Sequence, residues 1–263
     1  MRTKSGIALY KKMFRKNSML FWCFMVGLVF YMIMIVWTFS MIADLPPNIQ
    51  EALESIGMNI DAWANAMVYT ADLFFGQIIY MFAVIAFVMI AYRLGYKVVD
   101  NTSLSAYLVA GISRTKYVTT AMVYLLTKLL TMFTVMFFVG WICFAAIGSG
   151  FSMAAYLNVV FMSMLATGAV VFISFFLGTV LAGKGYGMGV MIAVPVAFLL
   201  FFMLGTGDLE FLSYLSVFGW IDTASIGEGT FNLWWLYAIL YVAIIVGTFV
   251  ATVLFFRRKQ LSI

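Results

Sequence analysis

Long runs without a charged residue alternate along this chain with short stretches where the charges gather. A helix of roughly 20 apolar residues is needed to cross a hydrocarbon core of about 30 Å, and windows of that length can be marked off in order. Asn17 to Ala43 gives the first and Leu73 to Tyr92 the second. Leu129 to Gly183 is too long for one helix and contains a turn signal, Gly148-Ser149-Gly150-Phe151-Ser152, so it divides into the third and fourth. Gly185 to Gly207 supplies the fifth, with Pro195 inside it as an expected kink, and Gly229 to Phe256 supplies the sixth. The pattern predicts an all-α integral membrane protein, one domain over 1–263, with transmembrane helices at about 19–42, 73–92, 129–148, 157–181, 186–206 and 232–256.

The charges then orient these spans. Arg2, Lys4, Lys11, Lys12, Arg15 and Lys16 precede the first, Arg93, Lys97, Arg114 and Lys116 lie between the second and third, Lys184 between the fourth and fifth, and Arg257, Arg258 and Lys259 after the sixth. All fall on one side. Asp44, Glu51, Glu54, Asp61, Asp208, Glu210, Asp222 and Glu228 fall on the other, with Asp72 at the membrane edge. Lysine and arginine are retained in the cytoplasm, so both termini are expected there. The first apolar span is about 27 residues long and no small-residue cleavage pattern follows it, which reads as an uncleaved span. Ahead of it, Ile7, Tyr10, Met13 and Phe14 recur at helical spacing while Lys12, Arg15 and Lys16 share the other face. Residues 1–16 therefore read as an amphipathic interfacial helix, anchored by Tyr10, Lys11, Lys12, Phe14 and Arg15, or as an ordinary positive anchor.

Composition narrows the function classes. Hydrophobic residues make up 65% and charged residues 10%, against about 25% charged in soluble domains, and the mean hydropathy is +1.09. Histidine does not occur, which removes imidazole relays and the usual zinc sites. Cys23 and Cys143 sit in apolar runs with no metal or disulfide spacing. Gly183-Lys184-Gly185-Tyr186-Gly187 lacks the spacing and hydroxyl of a nucleotide loop. Any ATP that drives this protein is bound by another chain.

Polar groups inside the spans are few. Lys128 reads as a pathway residue if the third helix is drawn from Tyr117, or as a snorkelling cation if Leu129 to Phe151 spans alone and Ser113 to Lys128 extends beyond the bilayer. Asp72 is expected at the outer mouth of the second span, and Gln77 and Asn158 are expected to hydrogen-bond between helices. The aromatic residues and 20 methionines serve as interfacial anchors and gap fillers, or as an adaptable lining for amphipathic cargo. Gly183, Gly185, Gly187 and Gly189 read as a hinge or as a tight turn.

The connection from Arg93 to Lys116 is too elaborate for a simple turn. Asp100, Asn101, Thr102 and Ser103 offer capping side chains. Leu104, Tyr107 and Leu108 form an apolar edge at i, i+3 and i+4, Gly111 can end a short helix, and a second helix is expected from Ser113. This stretch, Asp100-Asn101-Thr102-Ser103-Leu104-Ser105-Ala106-Tyr107-Leu108-Val109-Ala110-Gly111-Ile112-Ser113-Arg114-Thr115-Lys116-Tyr117, resembles the first cytoplasmic loop of the ABC-2 type permease family. That loop reads as an acidic residue, Gly-Thr or Gly-Ser, leucine-rich residues and Pro-Ile-Ser-Arg. Here Thr102 stands in place of the glycine and Gly111 where proline is common. Phe211-Leu212-Ser213-Tyr214-Leu215-Ser216-Val217-Phe218-Gly219-Trp220-Ile221-Asp222 resembles the family's outer segment before the last helix.

The resemblance implies a six-helix permease subunit of an ATP-driven exporter, paired with a second copy or a homologous permease in a bacterial plasma or inner membrane. It implies separate cytoplasmic ATPases that bind ATP and Mg, no cofactor on this chain, no catalysis by it and no nucleic-acid partner. By resemblance, Asp100, Ser103, Leu104, Tyr107, Leu108, Ser113 and Arg114 form the coupling helix and its flanks: Leu104, Tyr107 and Leu108 dock into the ATPase groove, and Arg114 anchors the loop on ATPase or lipid phosphates. Alternating access would then move a peptide, lipid, drug or antibiotic-like substrate outward. Two other classes stay open, an ATP-independent substrate-binding module of a shared transport complex and an intramembrane enzyme, for which the sequence offers no cluster of acids, histidine or cysteine.

Overall fold

A computed structural model describes residues 2–43, 65–100, 103–148, 150–205 and 209–258. Every regular element among them is helical, and six helices are long and apolar enough to cross a membrane. The architecture is that of an all-α, multi-pass membrane protein. In lipid no water satisfies the backbone, so each spanning segment must close its own hydrogen bonds as a helix. Asp44, Glu51, Glu54, Asp61, Asp208, Asn101, Thr102 and Lys259 lie outside the described residues.

The first helix, α1 (Arg2–Ala43), runs unbroken for 42 residues, about 63 Å at 1.5 Å per residue and roughly twice the hydrocarbon thickness. This corrects one expectation: residues 2–16 are continuous with the first span and form no separate interfacial helix. Their apolar face differs as well. Leu9, Met13, Asn17, Phe21, Met25, Leu28 and Met32 form one buried stripe at spacings of three and four, whereas Ile7 and Phe14 remain exposed.

The second span is assembled from α2 (Ala66–Thr70), a π-helical stretch (Ala71–Ile78) and α3 (Ile79–Leu94). Asn65 opens it by accepting from the backbone N–H groups of Met67 and Val68, each at 3.0 Å. The helix begins several residues ahead of the expected window, so Asp72 is helical and half-buried. After Gly95 the chain forms α4 (Tyr96–Asp100) and α5 (Ser103–Val109).

The third span belongs to α6 (Arg114–Ala146), whose 33 residues also overrun the bilayer. Here α1 and α6 lie side by side and point the same way. The aligned pairs are Gly6 with Lys116, Tyr10 with Tyr124, and Met32 with Gly140. On that register Lys128 stands level with Phe14 to Trp22 of α1.

The fourth span, α7 (Met153–Leu181), is the hub, packing on α3, α6, the fifth span α8 (Gly187–Gly205) and the last span α11 (Trp234–Arg258). Small residues allow the approach: a side chain at Gly178 would meet Met191 of α8, and one at Gly140 would meet the Tyr156 hydroxyl. Pro195 is accommodated within α8, which continues past it to Gly205. Between α8 and α11 the chain makes α9 (Phe211–Leu215), a 3-10 turn (Val217–Trp220) and α10 (Thr223–Glu228). The turn is drawn into the bundle, with Phe218 stacked on Tyr80 at 4.4 Å. Tyr241 donates to the Val217 carbonyl at 2.6 Å and Ser216 to that of Phe198 at 2.7 Å.

Candidate functional site

The corner from α3 to α6 sits where five segments meet at the end of the bundle that carries the basic residues. It starts with a tight turn at Gly95, where a Cβ would lie 3.1–3.2 Å from the Ala91 carbonyl, Phe175 and Thr179. The Tyr117 hydroxyl of α6 donates to the Leu94 carbonyl at 2.9 Å, closing the end of α3 onto the start of α6. On the other side Tyr96 stacks on Tyr92 at 5.8 Å, and its hydroxyl donates to the Lys184 carbonyl at 3.4 Å. Through these two tyrosines the corner grips α3, α6 and the turn between α7 and α8.

The short helix α5 ends as its sequence predicts. Gly111 has φ +78°, a left-handed conformation that glycine adopts without strain. The N–H groups of Gly111 and Ile112 donate to the carbonyls of Leu108 (2.9 Å) and Tyr107 (3.0 Å), closing the last turn. Ser113 then caps α6 by accepting from the Lys116 N–H at 3.3 Å. Both the stop and the restart were readable from residue types.

The faces of α5 were not. Leu104 is 1% exposed and belongs to the core, while Tyr107 and Leu108 are half-buried. Tyr107 leans on the Tyr117 ring at 5.3 Å and carries the Lys12 ammonium 4.8 Å from its centroid, which brings α1 into the same corner. The edge expected to face a partner is thus the edge that fastens the helix to its own protein. What faces outward is Val109, 89% exposed, beside Ala106 and Ala110. Positions 106 and 109 lie at i+2 and i+5 from Leu104, opposite the apolar edge, so the signal for Val109 was present once the inward edge was known. Asp100 is exposed at the end of α4, Arg114 is half-buried at the first turn of α6, and Ser103 begins α5.

The basic stretch of α1 forms the flank of this corner. Tyr10 is half-buried with its ring edge-on to Tyr124 at 5.7 Å, and Lys11, Lys12, Arg15 and Lys16 are exposed along a shallow concavity with Ala8. Phe14 is partly exposed and covers Lys128. Lys128 corrects the snorkelling expectation in one respect. The side chain is only 2% exposed and does not reach out of the protein. Its ammonium lies 3.9 Å from the Phe14 centroid and 4.1 Å from that of Phe21, with Trp22 at 5.7 Å and Tyr124 at 6.0 Å. The ring faces replace part of the hydration the cation has lost. Beside this cluster the Asn17 side chain donates back to the Met13 carbonyl at 3.1 Å.

The groups gathered at this end are rings, aliphatic side chains and cations, whose work is packing and charge. Tyr107 of α5 meets Tyr117 of α6, and upstream of it Gly95 and Tyr96 touch α7 and the turn into α8. Gln77, expected to bond between helices, is exposed, and Asn158 is half-buried. Comparison with protein-family models, curated proteins and solved structures finds no match.

Proposed function

We propose that this chain is the permease subunit of an ATP-driven transporter and that α5 is the lever on which separate cytoplasmic ATPase subunits act. The observation that carries the reading is a short helix with a buried leucine on its inner edge, tied to α6 through Tyr107 on Tyr117 and to α1 through Lys12, with one valine presented outward. Such a helix transmits displacement, since its inner edge cannot move without moving the spans it is packed against. The order of acidic residue, leucine-rich helix and Ser-Arg supports the same role by resemblance. The bias of the basic residues supports a cytoplasmic position for this corner and both termini, and the resemblance supports a bacterial plasma or inner membrane. The partner surface is revised from Leu104, Tyr107 and Leu108 to Val109 with Ala106 and Ala110, and Arg114 keeps its place as the phosphate-facing flank.

Two such subunits, identical or homologous, would enclose a pathway, and ATP would bias their helix packing through contacts that differ between states. A peptide, lipid, drug or antibiotic-like cargo leaving the cell fits the apolar, aromatic interior. Tagged chain captured in mild detergent is expected to bring down an ATPase with measurable hydrolysis. Val109→Asp should weaken that capture about tenfold or more while eluting as folded protein. Leu104→Asp should instead disrupt the fold. If well-folded wild type carries no ATPase, even after crosslinking in membranes, the ATP-independent binding module becomes the better description.

A further inference from the structure

A second feature runs from this corner along the outer side of α3 and α8. These helices are antiparallel neighbours that part to leave an apolar crevice of about 170 Å³. One wall carries Val84, Ile85, Val88 and Tyr92, and the other Ile192, Pro195 and Val196. Ile85, Ile192 and Val196 are exposed along its rim, so the crevice opens sideways into the bilayer. Along α3 it runs from Tyr92 to Val84, about 12 Å, which reaches from the basic end most of the way to the middle of a core about 30 Å thick.

Three cations gather at its mouth, with Asp100 one turn beyond Lys97 as the acid on the same short helix. Arg93 follows Tyr92 directly, Lys97 is exposed one turn on, and the hydrogen bond from Tyr96 to the Lys184 carbonyl brings the turn between α7 and α8 to the same place. Lys184 is exposed there, with its ammonium 5.8 Å from the Tyr186 ring. An occupant must therefore be apolar over one leaflet's depth and anionic at the surface.

The geometry points to a bound anionic phospholipid: one acyl chain fills the crevice between α3 and α8, and its phosphate is held by Arg93, Lys97 and Lys184. Basic residues near a membrane surface attract anionic headgroups, and a crevice ending under three of them converts that general attraction into a site. The Tyr96 bond makes the site sensitive to the corner, because it joins the two elements that carry the cations. The inference stands whether or not an ATPase docks on α5.

Native mass spectrometry of the detergent-purified full chain tests it, with phosphatidylglycerol and phosphatidylcholine of identical acyl chains added in turn. Wild type is expected to retain one phosphatidylglycerol in preference to phosphatidylcholine. Replacing the three cations together (Arg93→Gln, Lys97→Gln, Lys184→Gln) should erase the preference, at about fivefold per charge, and leave weak equal binding of both lipids. Val196→Trp, which fills the crevice from its exposed rim, should remove binding of both. As a control, Lys11→Gln with Lys12→Gln, Arg15→Gln and Lys16→Gln should leave the retained lipid in place. Equal retention of the two lipids by wild type overturns the proposal, as does a preference that survives the triple change or disappears in the α1 control. A chain that is dimeric without lipid and becomes monomeric with Val196→Trp would also overturn it, by making the crevice a contact between subunits.

Discussion

The fourth and sixth spans are almost equally apolar, yet 78% of the most apolar part of α7 is buried inside the protein and 17% of that of α11. Burial in a membrane protein thus follows something other than hydrophobicity. Along α7 the buried positions include Ser163, Ala166, Thr167, Gly168, Ala169, Ser174, Gly178 and Thr179, small or hydroxyl side chains that let neighbouring backbones approach. Along α11 the exposed positions are Leu236, Ile239, Leu240, Val246, Val250 and Leu254, bulky chains that lipid accommodates as readily as protein does. Without a hydrophobic drive between helices, close packing and hydrogen bonds decide which helix becomes central.

Paired substitutions can break this contrast. The largest effect is expected from Gly178→Leu, which drives a branched chain into Met191 and should cost up to about 3 kcal/mol by overpacking. Gly247→Leu on α11 meets open space and should leave stability unchanged or slightly raised by helix propensity. Next comes Phe175→Ala, at a fully buried site on α7, with a loss of about 2 kcal/mol from the cavity and the missing contacts. Phe255→Ala, at an exposed site on α11, should cost well under about 1 kcal/mol. Loss of a single hydroxyl sharpens the comparison: Tyr241→Phe removes the buried hydrogen bond from α11 to the Val217 carbonyl, at about 1 kcal/mol. Reversible unfolding in mixed micelles, read by tryptophan fluorescence, would rank all five. Equal losses at Gly178 and Gly247 would contradict the assignment of α7 as hub.

Much of the corner that carries the proposed function was legible. Gly111 and Ser113 announced the end of one helix and the start of the next because their reasons are local: a left-handed turn and a capping oxygen need no distant partner. Leu104 shows where local reasoning stops. Its i, i+3, i+4 edge with Tyr107 and Leu108 was visible, but an apolar edge points toward whatever apolar surface is nearest. Here that is the protein's own core. Lys128 makes the same point at the membrane boundary. The charge-free run that follows it marks where an apolar span can begin, whereas its shelter under Phe14 and Phe21 depends on α1 lying against α6.

The sequence by itself determined the six apolar spans and the local signals at Gly111 and Ser113. These follow from the thickness of hydrocarbon and the conformations of single residues. Only the tertiary structure decided which face of each span is buried, that residues 2–16 continue the first span instead of leaving it, and that Val109 and not Leu104 faces outward on α5. In lipid both faces of a helix are apolar, so periodicity carries little information about neighbours. The choice falls to shape, small residues and a few long-range hydrogen bonds, which exist only once the helices have come together.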